Sequence, residues 1–284
     1  MNARTDLAME SCELWRRDAG ETTKLPGVIA RQEDRGGVHI TRVEILDARG
    51  EAALGKPKGR YVTLELRAFS RREPGSFEEA AEAVAHEART FLGGISSVLC
   101  AGLGNDALSA DAFGPRVLEN LLVTRHLKRF DPAAFSGFCS VAALKPGVLG
   151  TSGMEALEQV RAVAREVKPE AVIAFDALAA MEPERLCRTI QLTDAGIAPG
   201  SGLGNRRAAF TKASLKTPVL AVGAPTLMDA EALAGRELSG LSGLIVTPRD
   251  VDERVRELSR VAGFGVSMAL HGGLSAKDLA GFLA

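Results

Sequence analysis

Cysteine is scarce and scattered in this chain of 284 residues: Cys12, Cys100, Cys139 and Cys187 stand far apart, and no C-x-x-C occurs. That spacing offers no disulfide framework and no zinc-binding pair. It fits a reducing cytosol, where a free cysteine behaves as a small hydrophobe. Histidine is as sparse. His39, His86, His126 and His271 are the four present, and none is spaced as H-E-x-x-H, so a zincin-type centre has no support. Charge of one sign is also lacking, since 35 Lys and Arg against 36 Asp and Glu leave a net charge of −1. A nucleic-acid binder's global electrostatic footprint is therefore missing, and the pairs Arg71-Arg72 and Arg206-Arg207 read as solvated surface. No apolar run approaches the roughly 18 residues of a membrane span. The stretch Met1 to Glu10 lacks the apolar core of a secretory signal. The expectation is a soluble, cytoplasmic chain with neither a membrane nor a direct nucleic-acid partner.

What is present is an ordinary globular composition, 46% apolar and 25% charged, enough for one large α/β domain. Residues 1–26 are polar, end in Pro26 and read as a loosely attached arm; residues 27–284 read as one domain. Val38–Ile45 and Arg60–Leu66 alternate at period two around turn chemistry at 47–59, which predicts an antiparallel hairpin with one polar face. A helical pattern over 77–93 stops at Gly93-Gly94. Strand–helix alternation follows: strand 97–102 and helix 112–128, strand 138–143 and helix 154–167, strand 171–175 and a helix over about 177–186. Extended runs at 188–193, 218–223 and 243–247 precede an amphipathic helix over 250–270. Continuous apolar strands flanked by helices imply a sheet covered on both faces.

Two of those strands each end on an aspartate in a small-residue turn. Ser97–Gly102 runs into Leu103-Gly104-Asn105 and on to Asp111; Ala171–Phe175 runs into Asp176. Ligands of open α/β sheets bind outside the carboxyl ends of the strands. Two carboxylates there can share a proton and serve as general base and acid; the plainer reading makes both aspartates helix N-caps. Gly102-Leu103-Gly104 is no dinucleotide fingerprint, because position 107 is Ala and no acidic residue follows a second strand. The loop Ser201–Arg207 has the look of an anion-binding nest but lacks the ending of a P-loop. Thr151-Ser152 reads as an N-cap rather than a nucleophile, with no G-x-S-x-G elbow.

Several strings together resemble the spore germination protease family, endopeptidases of spore-forming bacteria. They include Arg4–Glu10, Gly59–Glu65, Gly102–Asn105, Asp111–Pro115, Pro146–Gly150, Asp176–Ala180, Thr189-Ile-Gln191, Gly196–Asn205, Gly223–Asp229 and Val246-Thr-Pro248. The resemblance implies a three-layer α/β/α sandwich similar to hydrogenase maturation proteases, with an added amino-terminal β-hairpin region and elements supporting a homotetramer. It also implies degradation of small acid-soluble spore proteins in the spore core during germination. Members are made as zymogens that remove a short amino-terminal segment themselves. Their cleavage favours an acidic residue, then a hydrophobic one, then Ala, and Asp6-Leu7-Ala8 follows that order. Processing is therefore expected between Asp6 and Leu7, with 1–6 as the pro-segment.

The family's two candidate catalytic aspartates fall on Asp111 and Asp176. Asn105 and Gly104 are the candidates for oxyanion or substrate support. Departures from the family pattern occur at Asp106-Ala107, Ala110 and Met181, and Asp106 adds a third carboxylate near the pair. The leading expectation is a water activated between Asp111 and Asp176 with no cofactor. A metal-assisted protease with His126 as third ligand and a catalytically silent binder of spore proteins are the alternatives.

Overall fold

The computed structural model describes residues 5–19, 25–200, 207–234, 241 and 243–283. Among these, nine strands form one mixed sheet: β1 (Val28–Arg35), β2 (Val38–Ile45), β3 (Gly59–Glu65), β4 (Ser97–Gly102), β5 (Ser140–Leu144), β6 (Ala171–Ala179), β7 (Thr189–Thr193), β8 (Val219–Asp229) and β9 (Ile245–Val246). The order is β1-β2-β3-β7-β8-β6-β4-β5, with β9 on β8. Strands β8, β6, β4 and β5 run parallel, whereas β1, β2, β3 and β7 are antiparallel to their neighbours. The chain is thus an α/β sandwich extended on one side by an antiparallel meander.

Alternation along the parallel strands divides the core into two layers. Val98, Cys100, Ile173 and Phe175 pack beneath the helices Ser76–Leu92, Phe113–Glu119 and Val251–Leu270. Leu99, Ala101, Val172 and Ala174 face the other way, onto Leu157, Val160 and Ala164 of the helix Ala156–Val167. The expected cover on both faces is present.

Four local expectations need correction. The helix expected over 112–128 is two, Phe113–Glu119 and Arg125–Phe130. Between them Thr124 turns inward, donating its hydroxyl to the Cys139 carbonyl and its N–H to Val141, so pairing with β5 ends the first helix. The helix expected over 177–186 is instead the continuation of β6 to Ala179, followed by a 3₁₀ turn at Pro183–Arg185. Alanine-rich Ala177–Ala180 has helical propensity, but the ladder to β8 continues through Ala177↔Ala224 and Leu178↔Pro225 and overrides it. Helix Ala156–Val167 has Glu155 at its N-cap position, its N–H donating to the Glu158 side chain at 3.0 Å, rather than Thr151 or Ser152. In the amino-terminal sheet, β2 and β3 are antiparallel as expected, but the helix Ala48–Leu54 joins them. The tight hairpin is β1–β2 through Gly36-Gly37.

The amino-terminal segment is not a loose arm. Residues Ala8–Ala19 form a helix whose Ala8 and Cys12 pack on Val43, Ile45 and Tyr61, covering the face of β3 that was expected to be polar. Leu7, with 0% exposure, and Met9 enter a second cluster with Leu178, Leu186 and Met228. Glu10 is also fully buried. Its carboxylate accepts from the N–H groups of Met181 and Glu182 and pairs with Arg185 at 3.2 Å, fixing the turn after β6. Met181 serves that turn through its backbone, so the departure there leaves this contact intact.

The start of helix Phe113–Glu119 lies directly on the ends of β4 and β6. A Cβ on Gly114 would stand 2.4 Å from the carbonyl oxygens of both Leu103 and Phe175. Because those neighbours are backbone, Gly114→Ala must push the helix outward. A loss of about 1–3 kcal/mol is expected, read as a lower midpoint of urea unfolding; an unchanged midpoint would show that the contact does not constrain the helix.

Candidate active site

The contact at Gly114 places the two aspartates. Leu103 N–H donates to the Phe175 carbonyl at 2.8 Å, tying the exit of β4 to β6 one residue before Asp176. Asp111 closes the 3₁₀ turn Ser109–Asp111, three residues before Gly114. That turn is fixed from two sides. Thr226 of β8 donates its hydroxyl to the Ala110 carbonyl at 2.5 Å, and Asp111 N–H donates to Leu108 at 2.7 Å. Gly104, at φ +106°, lets the chain pass under Asp111, since a Cβ there would sit 2.1 Å from the Asp111 carbonyl oxygen. Asn105 N–H donates to Asp111 Oδ2 at 2.8 Å, while the Asn105 side chain accepts from Ala107 N–H. Asn105 and Gly104 therefore hold Asp111 in place, and the Asn105 N–H is already engaged.

Neither aspartate is an N-cap. Asp176 lies inside β6, 3% exposed, and no side chain caps helix Phe113–Glu119. Both line one cavity of about 170 Å³, together with Leu103, Glu155, Phe210 and Arg207. Burial pushes the Asp176 carboxyl well above the ordinary carboxylate range. The charges of Asp111 and Asp6 add to the rise, and the Ala177 N–H and Arg207 oppose it. Asp111 is raised as well, by burial first, against the Asn105 N–H and Arg207. The site is thus a pair of carboxyls biased toward protonation and faced by a single arginine among the cavity residues above.

Arg207 and Glu155 are the residues that sequence reasoning missed at this cavity. Arg207 reads from sequence as solvated surface; it is exposed, yet its charge reaches both aspartates. The signal was its place at the end of the glycine-rich loop, whose residues 201–206 lie outside the described residues. Asp106 does not add a third carboxylate to the cavity. It pairs with Lys145 at 3.1 Å, and Lys145 also pairs with Glu119 at 2.7 Å. His126 is exposed on its helix and away from the residues that line the cavity. Among the described residues, no three His, Cys, Asp or Glu side chains are grouped to hold a metal ion.

The expected processing bond is described, although residues 1–4 are not. Asp6 forms a short strand-like contact with the end of β6, its N–H donating to the Ala179 carbonyl at 2.9 Å. Ala179 N–H returns a bond to Asp6 Oδ2 at 2.8 Å.

Comparison with known proteins identifies the chain at this point. The family model for germination proteases matches residues 5–239. The chain belongs to the germination protease family. It is 38% identical to the germination protease of Caldanaerobacter subterraneus subsp. tengcongensis over 98% of this chain and 97% of that one. It is 32% identical to that of Clostridium tetani over the whole of both. Against the Bacillus subtilis protein it is 40% identical over 81% of this chain and 64% of the relative. Among solved structures, it is similar to the [NiFe] hydrogenase maturation protease HycI from Thermococcus kodakarensis KOD1, with 18% identity and a TM-score of 0.37 over 63% of this chain and 98% of that one. A germination protease is a proteolytic enzyme, and no helix among the described residues is long and apolar enough to cross a membrane.

The raised carboxyls carry a thermodynamic consequence. An aspartate whose native pKa exceeds its unfolded value binds its proton more tightly when folded. Its contribution is thus most favourable below the unfolded pKa and is lost as pH rises toward the native one. Asp176→Asn is therefore expected to stabilise the protein at neutral pH but not near pH 3. At pH 7 the gain is about 1.4 kcal/mol for each unit from the unfolded pKa up to the native pKa or pH 7, whichever is lower. Thermal midpoints of parent and variant at the two pH values check this; a variant less stable at pH 7 would contradict it.

Proposed function

We propose that this protein is an endopeptidase that degrades small acid-soluble spore proteins, and that its peptide-cleaving water is activated between Asp111 and Asp176. The observation that carries the reading is one cavity that both Asp111 and Asp176 line, each carboxyl pushed toward the protonated form by burial. Two carboxylates in a shared, partly dry site do not both ionise readily, so the pair retains one proton near neutrality and titrates as a unit. Asp176, the more buried, keeps that proton; Asp111, held by the Asn105 N–H, is the base. Asp111 takes a proton from water as its oxygen adds to the carbonyl carbon. Asp176 supplies the proton that the departing amine needs as the C–N bond breaks.

The protein is made as a zymogen that cuts itself between Asp6 and Leu7, acts in the spore core and assembles as a homotetramer. The order Asp6-Leu7-Ala8 and the docking of Asp6 on the end of β6, near enough for its charge to act on Asp176, support the self-processing part.

Intact mass of the purified chain, incubated from neutral to mildly acidic pH, tests the reading. A species beginning at Leu7 is expected. Asp111→Asn and Asp176→Asn should slow its appearance by about 10²–10⁴-fold. The same variants, started at Leu7, should fail to cut a small acid-soluble spore protein. Full processing by either variant would overturn the two-carboxylate mechanism.

A further inference from the structure

The carbonyl of the Asp6–Leu7 bond meets a side chain that the reaction just described does not use. Gln191 sits in β7 at 4% exposure, and both ends of its amide engage the amino-terminal segment. Its Nε2 donates to the Asp6 carbonyl oxygen at 3.1 Å, and its Oε1 accepts from Ala8 N–H at 2.9 Å. The two bonds bracket Leu7. Upstream, Lys56 Nζ donates to the Thr5 carbonyl at 3.0 Å, so the peptide is held on both sides of the bond.

The sheet register relates this amide to the carboxyl pair. Gln191 is aligned with Gly223 on β8, and Gly223 with Asp176 on β6. Residues in one cross-strand row share a face, so Gln191 and Asp176 point to the same side, about 10 Å apart at their Cα atoms, or two strand spacings. Gly223 contributes no side chain between them. Beside Gln191 lies a cavity of about 240 Å³, lined in part by Asp6, Lys56, Leu178, Gln191 and Gly223, and the Leu178 side chain lies over Gly223 in the row between Gln191 and Asp176.

We infer that Gln191 polarises the Asp6 carbonyl and stabilises its oxyanion during self-processing. The inference rests on Asp6–Leu7 being the processed bond and Asp111 and Asp176 the reacting pair. As the water oxygen adds to the carbonyl carbon, the π electrons move onto the carbonyl oxygen, and the Gln191 Nε2–H bond to that oxygen strengthens. Collapse returns those electrons to the C=O bond and expels Leu7 nitrogen, which leaves as an amine after protonation. The products are a carboxylate at Asp6 and a new amino terminus at Leu7. The Gln191–Ala8 bond meanwhile fixes the register, so that one carbonyl alone meets the donor.

Two variants separate this role from simple anchoring of the segment. Gln191→Met keeps the approximate shape and removes donor and acceptor. It should slow formation of the Leu7 species, followed by intact mass, by about 10²–10³-fold. Gln191→Glu retains an acceptor for Ala8 N–H, and only its protonated form donates to Asp6. Its rate relative to the parent should therefore rise as pH falls, whereas that of Gln191→Met should stay flat. Should Gln191→Met fail to fold, the pH-dependent ratio of Gln191→Glu decides. Parental rates in both variants, with Asp111→Asn and Asp176→Asn silent, would overturn the role of Gln191 and leave the carboxyl pair standing. Processing at another bond, or undiminished processing by the aspartate variants, would overturn the underlying reading and this inference together.

Discussion

Everything at the candidate site depends on how closely one helix can approach the ends of two parallel strands. Gly114 lies against the Leu103 and Phe175 carbonyls with no space for a methyl group. A side chain at that point would lift the helix Phe113–Glu119, and with it the turn that carries Asp111, away from β6. The approach also excludes water: Phe113 and Phe175 are fully buried beside it. A carboxyl placed in such surroundings holds its proton more tightly, because the low-dielectric interior penalises its charge. Close backbone packing is thus the cause, and the raised affinity of Asp111 and Asp176 for protons is its chemical result.

The antiparallel half of the sheet serves the same edge from the other direction. Strand β7 runs against β8 and brings Gln191 level with Gly223 and hence with Asp176. The meander β1–β2–β3 then offers a surface for the amino-terminal helix, whose Ala8 and Cys12 pack on Val43, Ile45 and Tyr61. Glu10 completes the arrangement by binding two N–H groups and Arg185 in the turn that follows β6. A buried carboxylate is tolerated at such a position because its charge is matched by hydrogen bonds and a paired guanidinium. Residues 6–12 are in this way brought to the carboxyl edge of the parallel strands.

The parallel strands that carry the site were legible in the sequence, because β4 and the first half of β6 are unbroken apolar runs whose ends are marked by small residues and an aspartate. Asp111 and Asp176 were legible for the same reason. The far half of β6 was not, since Ala177-Leu-Ala-Ala180 has no period of its own and takes its conformation from β8. The burial of the amino-terminal segment was hidden too. Its composition is polar, and Leu7, Ala8, Met9 and Cys12 become a core only when the meander and Leu178 are already folded beside them. Gln191 belongs to this second class: its contacts come from what the tertiary structure sets opposite it, which no local pattern records.

Charge and burial around the pair act on Asp176 in unequal measure. Asp176 faces two other carboxylates, Asp111 and Asp6, and against them stand the Arg207 guanidinium and the Ala177 N–H. Arg207 is exposed, so solvent screens its influence, whereas the burial penalty acts on Asp176 without dilution. Burial consequently outweighs the arginine. Gly223 sharpens the contrast on the neighbouring strand. The side chain of Leu178 lies over it, with atoms 2.6–2.8 Å from where a Cβ would be. An apolar group thereby occupies the space beside Asp176 that a polar side chain on β8 would otherwise fill. The absence of a side chain on Gly223 thus admits Leu178, and the dryness beside Asp176 arises from that one residue.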